Sequence, residues 1–368
     1  MNVKNDILLI SSEFPPQPGG IGNHAYNLAK QLYAQGFKVS VLVDVRSASG
    51  EEEARFDQDC GFEVIRVKVT QPRFLMYFTR IQKAFKLAKT HQTLIASGKF
   101  PIWLGAFLRF FYPITSLVII HGSEVNARNK WVGKSINYAL KSYYKIVAVS
   151  NHTRSLLLKK YQDKCEVIPN GFDPEKFKGT PEKPTSYKGN PTLITVGNVT
   201  HRKGQLNVIR HLPGLIATYP KIHYHMVGIP SCEEEFTKEA QKLGVEDYIT
   251  FHGILSDDAL QGCLKESTIF VMLSSETASG SIEGFGIAVL EANYLGVPAI
   301  GSKGCGIEDA ILEGKSGHLI DYQDTEAFVN AIKNIRTHKE IYQQEAKQWG
   351  DQHLWSKIIH EYLKYVVD

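Results

Sequence analysis

Twice along this chain, short apolar runs alternate with amphipathic stretches, and a proline- and glycine-rich interval divides the two series. In the first series residues 7–11, 39–43, 63–69, 94–96, 117–120, 146–149 and 166–168 read as strands. Residues 22–35, 73–89, 101–111, 132–143 and 151–161 between them carry a helical period. This rhythm implies parallel sheets covered on both faces by helices. The interval beyond Phe172 collects Pro174, Gly179, Pro181, Pro184, Gly189 and Pro191 among polar residues, the signature of a linker. Strands then resume at 192–196, 222–227, 248–251, 268–273, 298–301 and 318–320, and a last helix at 352–367 lies too far on to belong to the second sheet. The expected architecture is α/β, with two Rossmann-like doubly wound parallel-sheet domains at 1–172 and 192–348, a linker at 173–191 and a terminal helix at 349–368.

With 368 residues there is enough chain for two cores. A hydrophobic share of 43% and a charged share of 22% are those of an ordinary globular protein. The net charge of +4 is too small to suggest nucleic acid. The first apolar run is too short for a signal segment, and none reaches the ~20 residues of a membrane span. Cys60, Cys165, Cys232, Cys263 and Cys305 are scattered, without a C-x-x-C pair, as in a reduced, cytoplasmic protein.

Two carboxylates, Glu283 and Glu291, bracket the run Gly284-Phe-Gly-Ile-Ala-Val-Leu290. The apolar part reads as a buried helix, and an unpaired charge there is costly, so Glu291 calls for a hydroxyl-rich ligand such as a ribose. Glu283 precedes that helix in a Gly/Ser-rich loop, where amides and the helix dipole meet an anionic or polyhydroxylated ligand. Arg202 and Lys203 stand at a second helix start, where two cations oppose the dipole unless a bound anion offsets them; a fork and a point charge suit a diphosphate. Gly19 and Gly20, between the first strand and first helix, allow amides to approach a phosphate. The G-x-G-x-x-G spacing of a dinucleotide fingerprint is absent, which argues against an NAD-dependent dehydrogenase. Asp57-Gln-Asp59 has the form of a metal-binding D-x-D but falls in the acidic, flexible-looking stretch 47–59, and His223-x-His225 has no third ligand nearby in sequence; both read as non-ligating.

The segment Glu283 to Glu291 resembles the E-x7-E signature of retaining nucleotide-sugar glycosyltransferases with the GT-B fold, in particular glycosyltransferase family 4. Phe14-Pro-Pro-Gln-Pro-Gly-Gly-Ile21, His121-Gly-Ser-Glu124, Val149-Ser-Asn-His-Thr153, Pro169-Asn-Gly-Phe-Asp173 and Gly197-Asn-Val-Thr-His-Arg-Lys-Gly204 follow in family order. The resemblance implies a C-terminal domain that holds a nucleoside-diphosphate sugar, an N-terminal domain that holds the acceptor, a cleft that closes over both, and a terminal helix that crosses back to the first domain. Arg202 and Lys203 would neutralise the leaving diphosphate in place of a metal, with Gly197 among the donor-binding residues, so neither metal nor other cofactor is expected. Glu283 with Gly284, Phe285, Gly286 and Ile287 would orient the donor sugar, Glu291 would take the ribose, and Gly253 and Ile254 the base. Gly19, Gly20 and Ile21 would face diphosphate and acceptor. His121 would contact the sugar near the reacting centre, and Glu124 and Asn126 the acceptor.

The opening motif and the H-G-x-E loop look most like mannosyltransferase members, which puts GDP-mannose ahead of a UDP-sugar. The acceptor would be a glycan or a lipid-linked acceptor, as in cell-envelope polysaccharide biosynthesis. A GT-B phosphorylase would need a longer chain and a pyridoxal-phosphate lysine. A nucleotide-sugar epimerase would leave Arg202, Lys203 and the paired glutamates unexplained, and a non-catalytic sugar-nucleotide binder would bind donor without transferring it. From Val64 to Ser123 no Asp or Glu occurs, while bases including Arg66, Arg80, Lys83 and Lys86 alternate with Phe74, Phe78, Phe107, Phe110 and Phe111. That mixture suits an anionic membrane surface and a peripheral location on it.

Overall fold

The computed structural model describes residues 6–126, 129–184, 187–278 and 280–366. Ser279 of the Gly/Ser-rich loop, residues 185–186 of the expected linker and Val367 of the expected last helix lie outside them. The chain divides into two compact units, Met1–Gly171 with Trp355–Asp368, and Phe172–Leu354. Seven strands form the first sheet: β1 (Ile7–Ser11), β2 (Val39–Asp44), β3 (Glu63–Val67), β4 (Thr93–Ser97), β5 (Thr115–Ile120), β6 (Lys145–Ala148) and β7 (Cys165–Val167). Their order is β3-β2-β1-β4-β5-β6-β7 and every pairing is parallel. The second sheet contains β8 (Thr192–Val196), β9 (His223–Val227), β10 (Ile249–Phe251), β11 (Ile269–Met272), β12 (Ala299–Ser302) and β13 (Gly317–Ile320). It too is parallel, in the order β10-β9-β8-β11-β12-β13.

Both sheets are doubly wound. Each begins at an inner strand, winds outward and then crosses back, so the strand order reverses between β1 and β4 and again between β8 and β11. Helices on both faces account for the continuous apolar strands. Every residue of β1 is at most 4% exposed, and Ile269, Phe270, Val271 and Met272 of β11 are all fully buried.

Several elements differ from expectation for local reasons. The helix expected at 151–161 is two short ones, Asn151–Ser155 and Lys159–Gln162; Ser150 caps the first by accepting from the Thr153 N–H. The expected terminal helix begins later, at Trp355–Leu363, because Lys339–Gln352 is a separate helix that ends before it. Trp355–Leu363 packs on the helix Gly20–Ala34, with Tyr362 Oη 3.0 Å from His24 Nε2. Residues of the expected linker are tied into the second unit: Gln261 Nε2 donates to the Phe177 carbonyl (2.9 Å) and the Glu182 N–H to the Asp258 carbonyl (3.1 Å). Proline and glycine here shape an irregular strap rather than a free tether.

Two corrections concern charge. The stretch 47–59 is not flexible but carries the helix Glu51–Gln58. Glu53, fully buried, accepts from the N–H groups of Arg46 and Ser47 and from the Ser47 hydroxyl. Burial alone would raise its carboxyl; these hydrogen bonds, led by the Ser47 side chain, outweigh it and hold the pKa at about 2. Asp57 of the D-x-D sequence is paired with Arg66 at 2.8 Å. The basic face of 73–89 is also partly inward: Arg80 is 8% exposed, pairs with Asp44 and lies over the Phe100 ring at 4.4 Å, while Lys83 Nζ donates to the Arg66 carbonyl at 2.9 Å.

Candidate active site

Ligands of open α/β sheets bind beyond the carboxyl ends of strands at the point where strand order reverses. In the second unit those ends belong to β8 and β11. After β8 the chain enters the 3-10 turn His201–Lys203, whose two cations meet on one carboxylate. Glu283 Oε2 accepts from Arg202 Nη1 and lies 2.9 Å from Lys203 Nζ. Glu283 is only 8% exposed. Burial would raise its carboxyl, but Lys203 and then Arg202 outweigh burial and hold it below its ordinary range. Two cations against one carboxylate leave a positive balance on this turn.

The turn is held from behind. The Ser274 hydroxyl donates to the Arg202 carbonyl. Gly204, at φ 79°, follows Lys203 so closely against the loop after β11 that a Cβ there would overlap the Leu273 carbonyl oxygen. Gly228, at φ 142°, sits in the same way against the Gly197 carbonyl, locking the loop after β9 to the loop after β8. Both backbones need a left-handed conformation and a missing side chain, which only glycine supplies.

Gly286 begins the helix Ile287–Tyr294, with no side chain capping its amides. Exposed N–H groups at a helix start suit the oxygens of a polar ligand. Phe285 is 2% exposed, and the Glu283 carbonyl accepts from the Gly306 N–H at 2.9 Å, which fixes the loop between them. Glu291, on the same helix, is not left for a ligand alone: Lys176 Nζ lies 2.6 Å from its Oε1. Lys176 belongs to the 3-10 turn Pro174–Phe177 within the expected linker, and no sequence signal near Glu291 announces it. The Gly253 carbonyl accepts from the Gly228 N–H at 2.8 Å, and Ile254 beside it is 75% exposed. His225 Nδ1 is 2.9 Å from His252 Nε2, His223 Nε2 is 2.8 Å from Thr250 Oγ1, and the His225 ring stacks on Tyr187 at 3.8 Å. Burial pushes His223 and His225 down to about 4, which fits a structural role for these rings.

In the first unit the ends of β4 and β5 carry a second group. His121 follows β5, with its Nε2 2.9 Å from Ser97 Oγ at the end of β4. Its ring packs edge-on against that of His24 at 5.1 Å, and His24 is also against Trp355 at 5.0 Å. Burial lowers both imidazoles, so they stand neutral as donors and acceptors. Glu124 does not point outward as an acceptor contact would require. It is fully buried and its Oε2 accepts from the His121 N–H at 3.0 Å, making it a brace for the loop. Asn126, in the same loop, is exposed. Gly19 precedes the helix Gly20–Ala34 with the Glu13 carboxylate lying against it, while nothing lies within 4 Å of where a Cβ of Gly20 would be. His24 and Ser97 are the residues that motif reading misses here.

Two family models tile nearly the whole chain: that of family 4 glycosyltransferases matches residues 18–176, and that of group 1 glycosyl transferases matches residues 177–352. The chain belongs to glycosyltransferase family 4. Among the relatives of this family 4 enzyme is a GDP-mannose-dependent alpha-(1-6)-phosphatidylinositol monomannoside mannosyltransferase of Mycolicibacterium smegmatis, 24% identical over 89% of this chain and 88% of the relative. A glycogen synthase of Mycobacterium tuberculosis is also 24% identical, over 89% of this chain and 85% of its own. In fold the glycosyltransferase is similar to Anabaena HepE solved with UDP, with a TM-score of 0.78 at 16% identity over 98% of both chains. The GT-B fold and hexosyl transfer expected from the E-x7-E motif are those of the family.

Proposed function

We propose that the chain is a retaining, metal-independent hexosyltransferase that takes a nucleoside-diphosphate sugar in its second unit and a glycan or lipid-linked acceptor in its first. The observation that carries this reading is the convergence of Arg202 and Lys203 on the buried Glu283. The donor diphosphate meets the two cations. The hexose is oriented by Glu283 and the amides from Gly284 to Ile287, and the ribose hydroxyls hydrogen-bond to Glu291, displacing or sharing Lys176. The bond from the anomeric carbon to the phosphate oxygen breaks as the acceptor oxygen bonds to that carbon on the same face, and the acceptor proton passes to the departing diphosphate. Fixed cations at the oxygens that gain charge stabilise that departure without reorganisation. The mannosyltransferase relatives favour GDP-mannose, and the UDP of the structural neighbour makes a UDP-sugar the second reading. A thermal-shift screen of UDP, GDP, ADP and their sugars separates them. A nucleotide at 100 times its Kd stabilises by about 2.7 kcal/mol, and GDP and GDP-mannose are expected to give the largest shift. No shift with any of them ends the donor assignment.

We also propose that the acceptor is met at an anionic membrane surface, on a face revised from the sequence expectation. Arg66, Arg80 and Lys83 are engaged within the unit, but Phe74, Phe78, Phe110 and Phe111 are 66%, 57%, 84% and 51% exposed on the helices Arg73–Ala88 and Lys99–Phe111. Arg73, Lys86, Lys89 and Lys99 are exposed on the same two helices and beside them. No described helix is long and apolar enough to cross a membrane. Rings that insert and bases that meet headgroups suit surface attachment. The full chain is expected to sediment with phosphatidylserine vesicles at low salt, and Phe78→Asp with Phe110→Asp to abolish this while leaving donor hydrolysis intact. A wild-type chain that stays in the supernatant would point to a soluble acceptor.

A further inference from the structure

The geometry points to a zinc site in the second unit, built from His201, Cys232 and Glu235 and separate from the donor chemistry. One ligand atom from each lies within 4.8 Å of the other two, and His201 Nε2 is 3.1 Å from Glu235 Oε2. Zinc bonds of about 2.0–2.3 Å to nitrogen, oxygen and sulfur place neighbouring ligand atoms on a tetrahedron with edges of roughly 3.3–3.8 Å. The three side chains therefore reach that arrangement through small rotations. A thiol, an imidazole and a carboxylate select zinc over magnesium or calcium, which take oxygen alone.

The loops are tied so that the three residues stay together. β8 and β9 are parallel neighbours, and the loops beyond them are joined by hydrogen bonds from the Val199 N–H to the Ile229 carbonyl (2.8 Å) and from the Cys232 N–H to the Val199 carbonyl (3.1 Å). Cys232 stands immediately before the helix Glu233–Leu243, and Glu235 lies in its first turn. The Phe236 ring meets His201 edge-on at 5.3 Å and limits how far the imidazole swings. The His201 and Glu235 side chains are about half exposed, at 49% and 58%, so a metal enters freely and keeps its fourth position for water or another ligand. On binding, Cys232 gives up its thiol proton to solvent and the cation takes the sulfur lone pair.

The consequence reaches the donor site through the chain itself. His201 directly precedes Arg202 and Lys203 in one 3-10 turn, so an ion on its imidazole pins the turn that presents both cations. Zinc here is a structural clamp and takes no part in transfer.

Metal-stripped full-length protein titrated with Co2+ tests this, since cobalt reports its ligands by colour. One equivalent is expected to give the intense d–d bands of tetrahedral cobalt and a sulfur-to-metal charge-transfer band, and an equivalent of Zn2+ is expected to bleach both. Cys232→Ser should remove the charge-transfer band. His201→Gln and Glu235→Gln should each weaken Zn2+ binding by at least the roughly 10–100-fold that loss of a mere supporting partner costs. A charge-transfer band that survives Cys232→Ser, or Zn2+ affinity unchanged in the other two variants, overturns the site. Circular dichroism of each variant excludes misfolding as the cause.

Discussion

Arg202→Ala and Lys203→Ala are each expected to lower kcat by about 10²–10³-fold, the effect of removing one preorganised group from developing charge. The fold should survive either change. In each single variant Glu283 keeps one of its two cations, Lys203 at 2.9 Å or the Arg202 guanidinium, so no buried charge is stranded. Kinetics at saturating donor are the measurement, with EDTA present and then with added manganese. Turnover that persists in EDTA, or that zinc alone restores through the His201 site, and that is unaffected by manganese agrees with the cations acting in place of a metal at the diphosphate. Wild-type kcat in both variants, or recovery of lost activity by manganese, would show that the diphosphate is held elsewhere. Glu283→Gln should lower turnover and Glu291→Gln donor affinity, each by about one to two decades, the worth of a charge-assisted hydrogen bond.

Arg80→Ala is expected to destabilise the first unit by about 3 kcal/mol, because it leaves the Asp44 carboxylate, whose side chain is only 17% exposed, without its cation. For a unit of this size that is a fall in Tm on the order of 10 °C. Arg80 is enclosed by Asp44 and by the Phe100 and Tyr77 rings, at 4.4 and 5.4 Å from their centroids. Replacing the neighbouring exposed base, Lys86, should change stability by less than about 0.5 kcal/mol, the surface norm. Equal, small shifts for both would mean that Arg80 is a solvated surface base after all. Scanning calorimetry of the two variants side by side decides this.

The contrast between Arg80 and Arg202 marks what could be read from sequence. Arg202, Lys203 and Glu283 were legible because each stands where its chemistry conflicts with its local setting: cations at a helix start, a carboxylate beside a buried run. Such conflicts need no knowledge of the rest of the chain. The two sheets were legible for a related reason, since strands buried on both faces announce themselves as unbroken apolar runs. Arg66, Arg80, Lys176 and His24 were not legible. Their partners are Asp57, Asp44, Glu291 and Tyr362, and only the folded topology brings those pairs together. Nothing around Arg80 in sequence separates it from Lys86, which is exposed one turn and a half further along the same helix. Glu124 was legible as a motif position but not as a brace, because its role is set by how the loop folds back on His121.

The backbone contacts at Gly204 and Gly228 carry a lesson for anyone wishing to redesign this enzyme. Those two positions press main chain on main chain, so a library that samples them would mostly return protein with a broken scaffold. Ile254 is under no comparable constraint: its side chain is 75% exposed. On the proposed reading, diversity at Ile254 changes what surrounds the base and leaves Arg202, Lys203 and Glu283 untouched. The molecule thus separates a frozen engine from an interchangeable fitting, and a campaign to change its donor should spend its variants on the second.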